Sequence, residues 1–251
     1  MGKALALALV ASQCWGALLF GDATTNSVAC GSAASIDDVF VGTAALWYRP
    51  ATTANAQRYM AGKSTQFGML IPGADGTAAQ WKIRRATVHL TVDTPASSLA
   101  ANTWVFLAAT WDTAGSAPVM YRGSLTAAAT DVSTNAAVGS GTANSNAASN
   151  LAVGNSTDGA TASAHGRVTA VAIWSRRLTL GEIVSYQFRP RATSGNVFFW
   201  RGYTTANHAD WSGQAHACTV TGATVADEVP IGPWFGFDWR NQTLRMLGLY
   251  A

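Results

Sequence analysis

Val168-Thr169-Ala170-Val171-Ala172-Ile173-Trp174 is a run in which the even and odd positions differ in size. A strand between two packed layers shows that pattern, because successive side chains point to opposite faces. The run ends at Ser175-Arg176-Arg177, and the chain then changes character. Leu178-Thr179-Leu180-Gly181-Glu182-Ile183-Val184-Ser185-Tyr186 reads as a helix, with Thr179 as N-cap and Glu182 three residues on as the other half of a capping box. Arg189-Pro190 stops it. Working outward, short apolar, β-branched and aromatic runs recur at 16–20, 41–49, 57–61, 66–71, 80–84, 87–92, 104–111, 118–121 and 151–154. Clusters of Gly, Asn, Asp and Thr separate them, which is an all-β signature. Residues 126–150 are almost wholly Ala, Thr, Ser, Asn and Gly. They read as a loose meander or as a long loop carrying small-residue strands.

Composition bounds the rest. Charged residues make up 12% of 251, with eleven Asp but only Glu182 and Glu228 as glutamates, and thirteen Arg against three Lys. Ten tryptophans and so little charge exclude intrinsic disorder and a coiled coil. A net charge of +3 gives no bulk attraction for nucleic acid. A surface poor in Lys and Glu suits an extracellular module, or a subunit buried against neighbours. No stretch is long and apolar enough for a membrane-spanning helix. Cys14, Cys30 and Cys218 cannot all pair, which leaves three small buried hydrophobes or one bridge with a free thiol. Met1-Gly2-Lys3 and the apolar run after it resemble a leader. The alternation of Leu5, Leu7 and Leu9 with alanine equally reads as a packed arm, and no small-x-small cleavage site precedes Trp15.

The order of the pieces resembles the laminin G-like, concanavalin A-like jelly-roll family. Gly16–Asp22 looks like the family's opening strand and Gly-Asp turn. The stretch from Val41 to Pro50 looks like the next long strand, with Trp47 in the core. Asn102 to Asp112 with Val119 to Ser124 resembles the central hairpin, although Arg122-Gly123 replaces the usual Asn-Gly. Leu151 to Gly154, then His165 to Thr179 and Glu182-Ile183, resembles the closing strand and its capping helix. The resemblance implies a two-sheet antiparallel β-sandwich, a jelly roll with one short capping helix and terminal arms. The expected divisions are an N-terminal arm or leader-like segment over 1–15, the sandwich over 16–192, and an extension over 193–251 that completes the sandwich or docks beyond it.

Relatives that hydrolyse glycans carry Glu-x-Asp-x-x-Glu, because retention needs paired carboxylates about 5 Å apart. Two distant glutamates cannot write that motif, so no enzyme is expected. His89, His165, His208 and His216 lack zinc-type spacing, although His208 and His216 flank Asp210. The resemblance raises calcium as a possible cofactor, with Asp22 and Asp158 as its nearest loop carboxylates; the alternative is that both are ordinary turn residues. Exposed tryptophans stack on sugars. Trp47, Trp104, Trp111 and Trp174 fall at core positions, whereas Trp81, Trp200 and Trp211 are ambiguous.

Phe198 to Arg201, Asp210 to Gly213 and Cys218 to Gly222 resemble the segment that often precedes the first strand of such domains, but here it follows the last, an arrangement that also resembles accessory proteins of tailed bacteriophages. It implies a non-enzymatic virion subunit (a capsid decoration, head-fibre or tail protein) partnered by other virion proteins or copies of itself. The alternative is a carbohydrate-binding or adhesion module on a virion or bacterial surface, secreted or surface-held. Neither a nucleic-acid nor a membrane partner is expected. Near the C-terminus, Trp234, Phe235, Phe237 and Trp239 crowd four aromatics into six positions among prolines and glycines; either they fold back along the sandwich or they dock in a neighbouring subunit as a partner-binding anchor.

Overall fold

The run at 168–174 lies near the middle of an eight-stranded antiparallel sheet. A computed structural model describes residues 16–230 apart from 23–24, 55, 64–66, 74, 157–162, 203–207 and 227–229. The first half of the chain gives β1 (Ala17–Phe20), β2 (Ser27–Ala29), β3 (Val41–Pro50), β4 (Arg58–Lys63), β5 (Phe67–Ile71), β6 (Gln80–Ile83) and β7 (Leu90–Asp93). Next come β8 (Val105–Asp112), β9 (Ser116–Gly123), β10 (Thr130–Asp131), β11 (Thr134–Ala137), β12 (Ala152–Val153) and β13 (Gly166–Trp174). The helix α1 (Leu180–Phe188) follows, and then β14 (Asn196–Trp200), β15 (His208–Ala209), β16 (Ala217–Thr221) and β17 (Thr224–Ala226). One sheet runs β10-β9-β8-β3-β13-β1-β17, with β14 also on β13; the other runs β11-β7-β6-β5-β4-β12-β2-β16-β15. This is the expected two-sheet sandwich. The small-residue region resolves into the short β10 and β11 plus isolated bridges from Arg85 and Val88 to Ala143 and Ser140.

Alternation sends Leu46, Tyr48, Leu107 and Trp111 of one sheet inward against Phe67, Met69, Trp81 and Val92 of the other. Trp81 and Trp111 stack at 4.5 Å. Gly42 makes room for them: a Cβ there would meet the Trp111 ring at 2.4 Å. On the opposite face of the first sheet, Trp47, Phe106, Trp174 and Phe199 form a second apolar layer that Ile183 and Tyr186 of α1 cover. Trp47, Trp104, Trp111 and Trp174 are all buried, as expected.

The helix begins as its sequence dictates. The Thr179 hydroxyl accepts the Glu182 amide hydrogen, and the Glu182 carboxylate accepts that of Thr179. Arg176 adds two contacts to the same carboxylate, at 2.6 and 3.1 Å, and with the cap holds Glu182 down to about 2, against an ordinary 4.5. A carboxylate lowered in the folded state stabilises above its unfolded value, and that stability is lost as pH falls through the folded value. Thr179→Ala should therefore cost about 1 kcal/mol at neutral pH. Glu182→Gln should flatten the fall in stability between pH 4.5 and about 2 in acid titrations of unfolding.

Strict alternation fails at one place on β13. Val168 packs in the inter-sheet core with Val171 and Ile173, while Ala170, Ala172 and Trp174 line the helix-covered face. The phase changes at a bulge between Thr169 and Ala172, where Ala170 takes a left-handed φ of 50°. The cause is a change of neighbour. Residues 166–168 pair with β1, whereas residues 171–174 pair with β14 on the same edge. The Thr169 hydroxyl lies 2.6 Å from the carbonyls of both Gly16 and Arg201, the two chain segments that meet there.

Strands from 196–226 enter both sheets: β14 and β17 join the first, β15 and β16 the second. A disulfide joins Cys30, just past β2, to Cys218 in β16. Of the two readings open for the cysteines, the bridge is therefore the one realised. Cys14 and the arm over 1–15 lie outside the described residues.

Candidate functional site

Of the sequence-level candidates, Asp158, Glu228, Trp234, Phe235, Phe237 and Trp239 lie outside the described residues. Asp22 ends the opening strand's turn and is 75% exposed at its side chain. Its carboxylate meets the Arg58 guanidinium at 3.2 Å and His165 Nδ1 at 3.1 Å. Two nitrogen bases at one carboxylate are the wrong setting for a hard dication, which needs several oxygen donors. Among the described residues no group of three or more His, Cys, Asp or Glu side chains could hold a metal ion. Asp22 thus does not fit calcium.

Glu182 is equally committed elsewhere. Bound to the helix N-terminus and to Arg176, it is ionised throughout the neutral range and cannot deliver a proton there. His216 approaches Asp210, but through Nε2 at 3.9 Å. The same nitrogen lies 3.0 Å from the Ser35 hydroxyl and 3.1 Å from the Val197 carbonyl. A relay would need the carboxylate on the other ring nitrogen, so these three side chains tie loops together.

The ambiguous tryptophans separate cleanly. Trp81 and Trp200 are fully buried, while Trp211 is 40% exposed. Among the seven described tryptophans it is the exposed one. Its backbone is fixed from both sides. The Trp211 amide donates to the Phe199 carbonyl at 2.8 Å. The preceding Asp210 carboxylate is buried and accepts the amide hydrogens of Phe199 and Ser212, each at 2.8 Å. Asp210 builds this tight turn because a short carboxylate caps the amide two residues on, and Gly213 continues it at a φ of +90°.

The indole itself is oriented by charge. The Arg201 guanidinium sits 4.4 Å from the Trp211 ring centroid and 5.6 Å from that of Phe199. Such stacking fixes the ring and leaves indole surface to solvent. A rigid exposed aromatic face with a guanidinium against it can take the C–H face of a pyranose, whose weakly positive hydrogens match the ring's negative face. Sequence reasoning named Trp211 among three candidates but missed Arg201. Its position one residue after the aromatic run 198–200 was the available signal.

Two hollows flank α1. One, of about 160 Å³, lies over Trp174, Leu178 and Tyr186; the other is a shallow groove against Val184 and Phe188, with Arg189 between them. The first is smaller than an ordinary small-molecule pocket, which runs to about 300–1,000 Å³; the second, of about 480 Å³, is within that range but wide open.

Residues 22–184 match the concanavalin A-like lectin/glucanase superfamily. No curated protein matches the sequence. Among solved structures, a candidate carbohydrate-binding protein from Bacteroides ovatus is similar at 16% identity and a TM-score of 0.56. The alignment covers 84% of this chain and 59% of the other, so the chain spans less than two thirds of that protein. A heptameric pentraxin from Limulus polyphemus aligns at 10% identity and a TM-score of 0.49, over 84% and 94% of the two chains. The carbohydrate-binding module of a Ruminococcus gnavus sialidase gives 13% and 0.40, over 66% and 95%.

Proposed function

The chain belongs to the concanavalin A-like lectin/glucanase superfamily, and from that premise we propose that it is a non-catalytic carbohydrate-binding module whose ligand stacks on Trp211. The observation that carries this reading is the one exposed tryptophan among the described residues, held rigid by Asp210 and Arg201. Pre-organisation of that kind lowers the ordering cost of binding. At 16% identity the Bacteroides ovatus protein supports the architecture alone, and its name makes sugars the first ligands to try. The disulfide favours an oxidising setting, outside the cell or on its surface. No described helix is long and apolar enough to cross a membrane.

Glycan-array screening followed by calorimetry with the best ligand tests the reading. Trp211→Ala should weaken binding about tenfold or more, the equivalent of 1.4 kcal/mol of lost contact, with thermal unfolding little changed. Trp211→Phe should recover part of it. A glycan bound equally well by Trp211→Ala would sink the assignment.

The virion-subunit role is the second reading. Its specific support is the aromatic group at Trp234, Phe235, Phe237 and Trp239 together with a sparsely charged surface. Stoichiometric incorporation into a particle, lost on removing residues 230–251 and accompanied by no glycan signal, would favour it over the first.

A further inference from the structure

Of the seven large apolar side chains exposed among the described residues, four gather at one end of the sandwich: Phe40, Val41, Val88 and Val138. A chain of contacts crosses that end. The Thr113 amide donates to the Phe40 carbonyl at 2.9 Å. The Arg85 guanidinium donates to the Thr113 carbonyl at 2.6 Å and to the Gly141 carbonyl at 2.6 and 2.9 Å. Val88 is bridged to Ser140, and a Cβ on Gly139 would meet the Val88 carbonyl at 2.6 Å, which sets Val138 beside it. Strand phase explains the exposure. Ala44, Leu46 and Tyr48 of β3 face the inter-sheet core, as do Leu90 and Val92 of β7. Phe40 and Val88 continue those two faces past the last core layer, one from each sheet, and are 43% and 51% exposed. Apolar side chains clustered in this way mark a surface that takes a partner.

The chain's own C-terminal stretch is directed there. In β17, Thr224 pairs with Leu19 and Ala226 with Ala17. The register carries that direction across β13 to β3, from the level of Arg49 to that of Trp47. Beyond Ala226 the chain therefore heads toward the Phe40 end, and Pro230 is buried, so it stays against the body as it goes. Phe40 is seven residues from Trp47, and three strand spacings separate β17 from β3, which together make about 28 Å. Trp234 is eight residues past Ala226, and eight extended residues also span about 28 Å. The aromatics that follow it come within reach of Val88, on the other sheet about 10 Å away. Residues 1–15 leave from the adjoining strand at the same level. Their one aromatic, Trp15, is two residues from Ala17 and falls short.

We propose that Phe40, Val88 and Val138 form a docking surface for residues 231–251 of the same chain, with Trp234, Phe235, Phe237 and Trp239 laid across this end of the sandwich. Large flat rings suit a shallow rim, because each covers much apolar area without needing a deep groove. The proposal does not rest on the carbohydrate reading. A segment held in this way is not free to anchor a neighbouring subunit.

The test places photoreactive benzoylphenylalanine at position 40 of the full chain and, as a control, at the exposed position 96 beyond the opposite end of β7. Isotopically light and heavy proteins are mixed and irradiated, and the captured peptides are identified by mass spectrometry. Position 40 should capture peptides from residues 231–251 within chains of one label, and position 96 should not. In the full chain without the probe, Trp234→Ala with Trp239→Ala should speed hydrogen exchange about tenfold at the amides of Thr113 and Val88. These amides donate to the Phe40 and Ser140 carbonyls at that end; the Leu99 amide, bonded to Thr77 at the other end, should keep its rate. Capture of residues 1–15, capture across labels as in a second copy, or capture of no C-terminal peptide overturns the proposal. So does exchange that is unchanged in the double variant, or that rises equally at Leu99.

Discussion

Replacing Trp174 by alanine should lower the free energy of unfolding by about 3–5 kcal/mol, the range for buried aromatic truncations. The side chain is fully buried on the helix-covered face of the first sheet. It meets Tyr186 edge to face at 4.8 Å, and its indole N–H donates to the Thr193 hydroxyl at 2.9 Å. Truncation removes apolar contact and leaves a cavity under α1. It also takes away the partner that orders the chain after the helix. The surroundings cannot collapse readily, since Trp47, Phe106 and Phe199 are fixed on three neighbouring strands. Urea unfolding followed by far-ultraviolet circular dichroism measures the effect. A loss below 1 kcal/mol would mean that the helix-covered layer contributes little to stability.

Cys30→Ser with Cys218→Ser should cost about as much. The bond closes a loop of 188 residues. In the chain-entropy description a loop of that length restricts the unfolded state by roughly 5 kcal/mol, and native bridges commonly deliver about 2–5. Locally, the bridge fixes β16 against β2, whose pairing runs only from Thr219–Ala29 to Thr221–Ser27. Three register pairs at a sheet margin are a weak attachment alone. The serine pair should therefore lower the denaturation midpoint and speed proteolysis after residue 200. Equal stability of the wild-type protein with and without reductant would show that β16 holds without its staple.

Much of this architecture was legible. The expected strand 41–49 is β3, Val41–Pro50; the central hairpin is β8 and β9; and the capping box at Thr179 and Glu182 opens α1. Each is specified locally, by period-two patterning or a cap. The features that escaped depend on distant partners. The phase change at Ala170 arises because β13 exchanges β1 for β14 along one edge, which no local pattern encodes. The strands Ala217–Thr221 and Thr224–Ala226 are short, and they exist through their pairing with β2 and β1. The cysteine pairing needed that same topology. Trp81, Trp200 and Trp211 look alike in sequence, and only the three-dimensional packing separates two buried rings from one exposed.

The placement of β1 and β2 has a consequence for how the chain reaches this state. Both belong to the first thirty residues, yet β1 lies between β13 and β17, and β2 lies between β12 and β16. During synthesis these strands emerge first and wait for partners that leave the ribosome more than a hundred residues later. Non-local pairing of this kind slows folding, because loop closure comes before the contacts that reward it. Until then, apolar Leu18, Phe20 and Val28 sit on unpaired edges, where another chain can capture them. The sandwich therefore closes only once β16 and β17 have emerged, with oxidation of Cys30 and Cys218 among its late steps. Adding the oxidant before β16 has docked should divert chains into intermolecular disulfides.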